Sequence, residues 1–154
     1  MIRPARADEA AQISAVLVAS VTRLCGADHG DDPERLAQWL ANKTPQAVAR
    51  RIADPTTRVY VAGDCAAVGA IALPATGPGE IALLYVHPDA QGRGHSAALL
   101  HAMEDALRAE GFAQARLTAT TTARRFYERR GWQPDGPARI ELGVLGHPMR
   151  KTLR

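Results

Sequence analysis

The first third of the chain carries hydrophobic residues at helical spacing. They recur every three or four positions between Ile13 and Leu24, with polar residues between them. This pattern predicts an amphipathic helix from about Glu9 to Leu24, with Asp8 as its N-cap and Gly26 at its end.

Two further helix starts follow, and each has a capping residue directly before a proline. The pairs Asp32-Pro33 and Thr44-Pro45 have this signature. They predict one helix carrying Leu36, Trp39 and Leu40, and another running to about Ala53. The acidic segment 27–32 before the first of them is predicted to be a polar loop.

From Thr57 onwards the spacing changes to that of strands. Residues 58–62 and 66–73 predict a hairpin around Gly63-Asp64, and the apolar run 81–86 predicts a central strand that is covered on both faces. The other predicted elements are a first strand at 2–5, a helix at 97–108, a strand at 116–120, a short helix ending at Gly131, and a hairpin of strands 140–145 and 149–153. Helices and strands alternate in mixed order, which predicts an α/β fold in which helices cover both faces of a mixed sheet. At 154 residues we expect a single domain over residues 1–154.

A glycine turn joins the central strand to the helix that follows it. Gly92 and Gly94 lack the Cβ atoms that would keep a ligand away from the backbone, and Arg93 adds a positive charge. The first turn of the helix presents unpaired N–H groups at the positive end of its dipole. These features predict a site for the phosphate or pyrophosphate of a small molecule, although a purely structural turn has the same sequence. The pattern is neither a Walker P-loop nor a complete dinucleotide fingerprint, since no Lys-Ser or Lys-Thr follows and Ala97 stands where the third glycine would be.

Composition and charge exclude several other classes of protein. The net charge of +3 comes with no block of like charges, so we expect no nucleic-acid partner. The arginines at 124, 125, 129 and 130 cluster, either as a solvated helix face or as phosphate contacts. Cys25 and Cys65 are isolated, which predicts no metal site and fits a reducing, cytoplasmic location. No stretch has the pattern of a secretory signal or a membrane span.

Two blocks of the sequence resemble the GNAT N-acetyltransferase superfamily. The segment 80–100 contains Val86-x-Pro88 followed by Gln91-x-x-Gly94-x-Ser96, which is similar to the acetyl-CoA-binding segment of that family. The segment 117–132 ends in Phe-Tyr-x-x-x-Gly-Trp and resembles a later strand–helix unit of the family. The first and last strands also fit, so the resemblance spans nearly the whole chain. Two departures are Ser96, where Gly or Ala is usual, and the threonines at 118 and 120–122, where the family often has an Asn.

The resemblance implies a fold, a reaction and a cosubstrate. The fold would be a mixed, mostly antiparallel central sheet flanked by helices on both faces. The reaction would be direct transfer of the acetyl group of acetyl-CoA to an amine of a small molecule or protein, within a ternary complex. Dimerisation is common in the family, so a homodimer is one expectation. The residues implied to bind acetyl-CoA are Leu84, Tyr85 and Val86 beside the pantetheine, Gln91, Gly92, Arg93, Gly94, His95 and Ser96 around the pyrophosphate, and Thr122 and Phe126 along the channel.

The resemblance also implies candidate catalytic groups. Tyr127 would protonate the departing CoA thiolate, because a phenol stays neutral near pH 7, although a core aromatic on a short helix fits the same position. Glu80 would accept the amine proton, directly or through water, although an exposed carboxylate at the end of a strand is an equal alternative. His87 is the second candidate base. A different reading of the same motifs is an acyl-CoA-binding module without efficient catalysis. The acceptor itself is not indicated, and we expect it to be selected by residues 24–39 and the terminal hairpin.

Overall fold

An eight-stranded sheet runs through the centre of the structure, with helices on both of its faces. The computed structural model describes residues 1–154. Its strands are β1 Ile2–Pro4, β2 Thr57–Ala62, β3 Ala67–Ala72, β4 Gly79–Val86, β5 Gln114–Thr120, β6 Gln133–Pro134, β7 Arg139–Glu141 and β8 Val144–Thr152. Its helices are α1 Ala10–Leu24, α2 Gly26–His29, α3 Pro33–Leu40, α4 Pro45–Ala53, α5 His95–Ala109 and α6 Arg124–Glu128. The predicted α/β fold with a mixed sheet is therefore confirmed.

The strands lie in the order β1-β2-β3-β4-β5-β8-β6, and β7 pairs with β8. Every pairing is antiparallel except that of β4 with β5. One face of the sheet packs on α5, where Leu99, Met103 and Leu107 are fully buried. The other face packs on α1 through Ile13 and Leu17. No helix is both long and apolar enough to cross a membrane.

The two parallel strands at the centre separate soon after they meet. β4 and β5 pair only at Gly79 with Ala115 and at Glu80 with Arg116. Beyond that point β4 carries a bulge, because Ile81 lies opposite Ile71 and Leu83 lies opposite Ala70, so that Ala82 has no partner on β3. A bulge bends its strand and increases its twist. The strand turns away from β5 and leaves a gap within the sheet.

Both proline-marked helix starts are confirmed. The Asp32 side chain accepts hydrogen bonds from the N–H groups of Glu34 and Arg35, and the Thr44 hydroxyl accepts one from the N–H of Ala47. These bonds satisfy N–H groups that have no partner inside the helix.

The first helix spans Ala10–Leu24, close to its predicted bounds, but the predicted roles of Asp8 and Gly26 at its two ends were wrong. Residues 7–9 form a 3-10 turn and α1 begins at Ala10, so Asp8 is not its cap. Gly26 does not end the chain's first helical region, because it begins α2 inside the predicted loop. The reason is His29, which is fully buried and whose Nε2 lies 2.9 Å from the carbonyl oxygen of Val21. That tertiary contact holds the acidic segment as a helical turn.

The boundaries of the terminal hairpin were also predicted wrongly. Its turn lies at Leu142 and Gly143, both with positive φ, between the paired residues Glu141 and Val144. Two consecutive residues with positive φ make the tight hairpin turn that matches strand twist. β8 is therefore one long strand from Val144 to Thr152, instead of starting again at residue 149.

Candidate functional site

The gap between β4 and β5 opens into a cavity of about 240 Å³, here called the gap cavity. Its walls are mostly hydrophobic, and they come from both strands, from the end of α1 and from α6. The structure brings eight of the predicted site residues together around it: Leu84, Tyr85, Val86, Gln91, Ser96, Thr122, Phe126 and Tyr127. On the gap side of β4, the backbone past Glu80 has no strand partner, so its polar groups are free for a ligand.

Tyr127 presents its hydroxyl to this cavity. The residue lies on α6 and is 7% exposed, and its ring makes edge contacts with Phe126 and Trp132 at centroid distances of 5.2 and 6.2 Å. The hydroxyl has no hydrogen-bond partner in the protein and is not sealed off from the cavity. Burial raises the pKa of the phenol above its usual value. The group is therefore a neutral proton donor over the whole physiological range.

The glycine turn forms a second opening, here called the turn cavity, of about 350 Å³. Gly92 and Gly94 have φ values of +82° and +83°, which side chains other than glycine adopt only with strain. The backbone N–H groups of residues 92–97 donate to no acceptor in the protein, and those from 95 onwards begin the 15-residue helix α5. A row of free donors at the positive end of a helix is suited to a phosphate or pyrophosphate.

Of the arginines near the glycine turn, Arg130 lines the turn cavity and Arg93 does not. The Arg130 guanidinium stacks on the Phe126 ring, 3.9 Å from its centroid, and its Nη1 donates to the Phe126 carbonyl oxygen at 2.9 Å. Both residues line the turn cavity. Arg93 is exposed and lies on a different surface depression beside Asp64 and Asp89. The spacing of four residues between an aromatic and an arginine is the signal that could have singled out Arg130.

Thr122 ties the mouth of the gap cavity to α2. Its N–H donates to Asp28 Oδ1 at 3.2 Å, and its hydroxyl donates to the other oxygen of the same carboxylate. The two residues are 94 positions apart, so the bond connects the β5–α6 loop to the segment after α1. The sequence predicted Asp28 as a residue of a polar loop, or else as one of three aspartates that attract a cationic amine.

A third cavity, here called the polar cavity, has a volume of about 190 Å³ and meets the gap cavity at the separated strands. The two share walls formed by residues 81–83, Tyr85 and residues 118–120. Charged side chains distinguish the polar cavity: Lys43, Arg51, Glu80 and Glu141 line it together with Asn42.

The structure separates the two candidate bases. Glu80 lines the polar cavity. Its Oε2 lies 3.5 Å from Nη2 of its cross-strand partner Arg116, which does not line that cavity. His87 lines neither the gap cavity nor the polar cavity. Its Nδ1 accepts the N–H of Asp89 at 3.1 Å and so caps the 3-10 turn at residues 88–90. Glu80 and Tyr127 thus reach the gap from the polar cavity and from the gap cavity, respectively.

A model of a known protein family matches most of the chain. The family model of the acetyltransferase (GNAT) domain matches residues 27–153. The chain belongs to the GNAT acetyltransferase family. Members of this family are generally acyltransferases, and the chain has their mixed sheet with helices on both faces. No curated protein matches the sequence.

Solved structures support the same fold over the full length. The chain is 27% identical to a GCN5-related N-acetyltransferase from Rhodopseudomonas palustris, with a TM-score of 0.82 over 99% of this chain and 94% of that one. It is 15% identical to the PaiA N-acetyltransferase of Thermoplasma acidophilum, solved in complex with coenzyme A, with a TM-score of 0.79 over 99% and 98% of the two chains. An aminoglycoside 6′-N-acetyltransferase complexed with coenzyme A is 14% identical, with a TM-score of 0.72 over 100% of this chain and 97% of that one.

Proposed function

We propose that this GNAT protein is an acetyl-CoA-dependent N-acetyltransferase, which transfers the acetyl group directly to an amine within a ternary complex. The observation that carries the proposal is the continuity of three features along one path. Free backbone donors at residues 92–97 lead into the gap between β4 and β5, and the Tyr127 hydroxyl faces that gap. Complexes of two structural neighbours with coenzyme A are consistent with this choice of cosubstrate.

The residues fit the parts of coenzyme A in order. The N–H groups of residues 92–97 would hold the pyrophosphate, with Arg130 as the nearby cation. The pantetheine arm carries amides, and these would pair with the free edge of β4 as an added strand does. Its hydrocarbon portions would contact Leu84, Val86 and Phe126 in the mostly apolar gap cavity.

The chemistry would proceed across the gap. Acetyl-CoA supplies an activated thioester, and the amine nitrogen attacks its carbonyl carbon. A backbone N–H on the free edge of β4 would stabilise the oxyanion that forms. As the carbon–sulfur bond breaks, Tyr127 would give its proton to the thiolate, and its phenolate would be reprotonated from solvent. Glu80 would take the amine proton through a bridging water on the side of the polar cavity.

The experiment that tests this proposal combines binding with turnover. Calorimetry with coenzyme A should show binding to the wild-type protein, and a thiol-release assay with an amine panel should show acetyl transfer, with the N-acetyl product identified by mass spectrometry. Gly92→Ala should weaken coenzyme A binding at least about tenfold, because strain at a positive φ displaces the free N–H groups.

Gly77→Ala is the matched control for this variant. Gly77 has a φ of +87° and no atom within 4 Å of its Cβ position, as is also true of Gly92, but it lies in the loop before β4. Both variants should lose similar stability, and only Gly92→Ala should lose affinity. Absence of coenzyme A binding to the wild type would contradict the proposal. Binding without transfer to any amine would favour an acyl-CoA-binding module.

A further inference from the structure

The charges in the polar cavity are not balanced within the protein. Its two carboxylates already have arginine partners, since Glu80 lies 3.5 Å from Arg116 and Glu141 lies 2.8 Å from Arg139. Its two cations, Lys43 and Arg51, have no carboxylate within the 4.0 Å of an ion pair. The cavity therefore presents two positive charges that no side chain neutralises.

Lys43 is the more unusual of the two cations. It is 2% exposed, and its Nζ donates to the carbonyl oxygen of Trp39 and to Asn42 Oδ1, each at 2.9 Å. Both acceptors are neutral, and an ammonium has a third N–H to donate. A buried charge without a counter-ion is costly for folding, and a bound anion would offset that cost.

Burial, and after it the positive charge of Arg51, lower the pKa of Lys43 to about 8. Both cations line the same cavity of about 190 Å³, so one anion in that cavity would face both of them. Arg51 approaches from α4, and Lys43 approaches from the turn between α3 and α4. An anion bound between them would raise the pKa of Lys43 and keep its ammonium charged.

We propose that the amine acceptor of this protein also carries an anionic group, such as the carboxylate of an amino acid, and that Lys43, Arg51 and Asn42 bind that group in the polar cavity. This inference rests on the proposed acetyl transfer and names the chemical class of its acceptor. The volume of about 190 Å³ suits a small amino acid. The amine end would then point towards the gap, and Glu80 lines the polar cavity directly before the shared wall of residues 81–83.

The test compares acceptors that carry an anionic group with related acceptors that lack it. Glycine and phenylalanine are assayed against their amides and against methylamine and phenethylamine, and O-phosphoethanolamine is assayed against ethanolamine. We expect kcat/KM to favour the anionic member of at least one set by about tenfold or more, the amount that a charged hydrogen bond contributes. A preference confined to O-phosphoethanolamine would identify the anion as a phosphate. Equal or faster acetylation of the acceptors that lack the anionic group would overturn this inference while leaving the acetyltransferase proposal intact.

Variants of Lys43 and Arg51 test whether these two cations cause the preference for anionic acceptors. Arg51→Gln and Lys43→Met should each reduce the preference for anionic acceptors about tenfold. Arg50→Gln, an exposed neighbour on the same helix, should leave the preference unchanged. Lys43→Met should melt at or above the wild-type temperature, because it removes an unpaired buried charge. A large loss of stability with unchanged selectivity would show that Lys43 only supports the fold, and would overturn the inference.

A readout that does not need turnover separates the two proposals. Calorimetry with glycine, phenylalanine and O-phosphoethanolamine, in the presence of coenzyme A, should show binding to the wild type and weaker binding to Arg51→Gln. Binding of these probes without any acetyl transfer would support the anion site and count against the proposed reaction. If none of the probes binds or reacts while other amines are acetylated, the anionic acceptor is wrong.

Discussion

The turn cavity and the polar cavity lie on the two sides of the same gap, and they are built in different ways. The turn cavity presents backbone N–H groups from one continuous stretch, residues 92–97. The polar cavity presents side chains from five separate segments, which are the end of α3 and the turn after it, α4, β4, β5 and the β7–β8 hairpin. Backbone recognition requires a particular local conformation, whereas side-chain recognition requires a particular tertiary assembly. The first leaves a short signature in the sequence and the second does not.

The largest effect is expected from a change at the gap itself, between the two cavities. Tyr127→Phe should reduce kcat about a hundredfold or more, because the departing thiolate loses its proton donor, while coenzyme A affinity by calorimetry stays the same. Since burial raises the pKa of Tyr127, the wild-type rate should show no loss from its ionisation up to about pH 10. Tyr60→Phe, on β2, is the control and should keep full activity. A Tyr127→Phe enzyme with wild-type kcat would remove the tyrosine from the mechanism.

Glu80→Gln, in the polar cavity, should have a smaller effect than Tyr127→Phe, and it should alter the reaction of the amine alone. We expect kcat/KM for the amine to fall about tenfold, less than for a base in direct contact, because the carboxylate acts through water. The apparent affinity for acetyl-CoA should not change. His87→Gln is the comparison, and it should stay within about twofold of wild type because His87 caps a turn and lines neither cavity at the gap. A larger loss of kcat/KM in His87→Gln than in Glu80→Gln would make His87 the base.

On the side of the turn cavity, Arg130→Gln should raise the KM for acetyl-CoA about fivefold, as expected for a partly exposed charge contact. Its kcat should not change, since the reacting atoms lie in the gap. Arg129→Gln removes an adjacent exposed arginine and should have no effect. The increase in KM should diminish at high salt. Equal effects of the two variants would indicate a general charge effect instead of a contact.

The smallest effect concerns the stability of the unliganded protein. Because the pKa of Lys43 falls from 10.5 to about 8 on folding, the folded state binds fewer protons than the unfolded state between these values. The wild type should therefore gain stability relative to Lys43→Met as the pH rises from about 8 to 10.5. The groups that affect Lys43 are Arg51, which stays charged, and Cys25, whose pKa burial raises to about 12. The melting temperatures of the two proteins should converge across this pH range. A constant difference would contradict the lowered pKa of Lys43 in the folded protein.

The sequence predicted the features that depend on local geometry. The helix starts at Asp32 and Thr44 and the glycine turn after β4 were all anticipated, because each depends on residues within one or two turns of chain. The fold followed from the order of elements and from the family resemblance. The assignment of roles to the residues around the gap stays a prediction until the variants are measured.

Features that depend on distant partners could not be predicted. The segment 27–32 looks like a polar loop, yet His29 is buried against Val21 and draws α2 into the structure. In the sequence, Lys43 cannot be told from an ordinary surface lysine. Its burial depends on the packing of Trp39, Tyr85 and α1 around it. By contrast, the stacking of Arg130 on Phe126, four residues earlier, is local, and this spacing could have distinguished Arg130 from the other three arginines of its cluster.

The early separation of β4 and β5 has a consequence for how such a protein can diverge. The peptide groups along the free edge of β4 are present whatever side chains the strand carries. Mutation can therefore remodel the opposite wall, including positions such as Lys43 and Arg51, without rebuilding the means of holding the cosubstrate. In the proposed reaction, a sheet that leaves its own centre unpaired would keep the binding of one substrate constant and leave the binding of the other free to evolve.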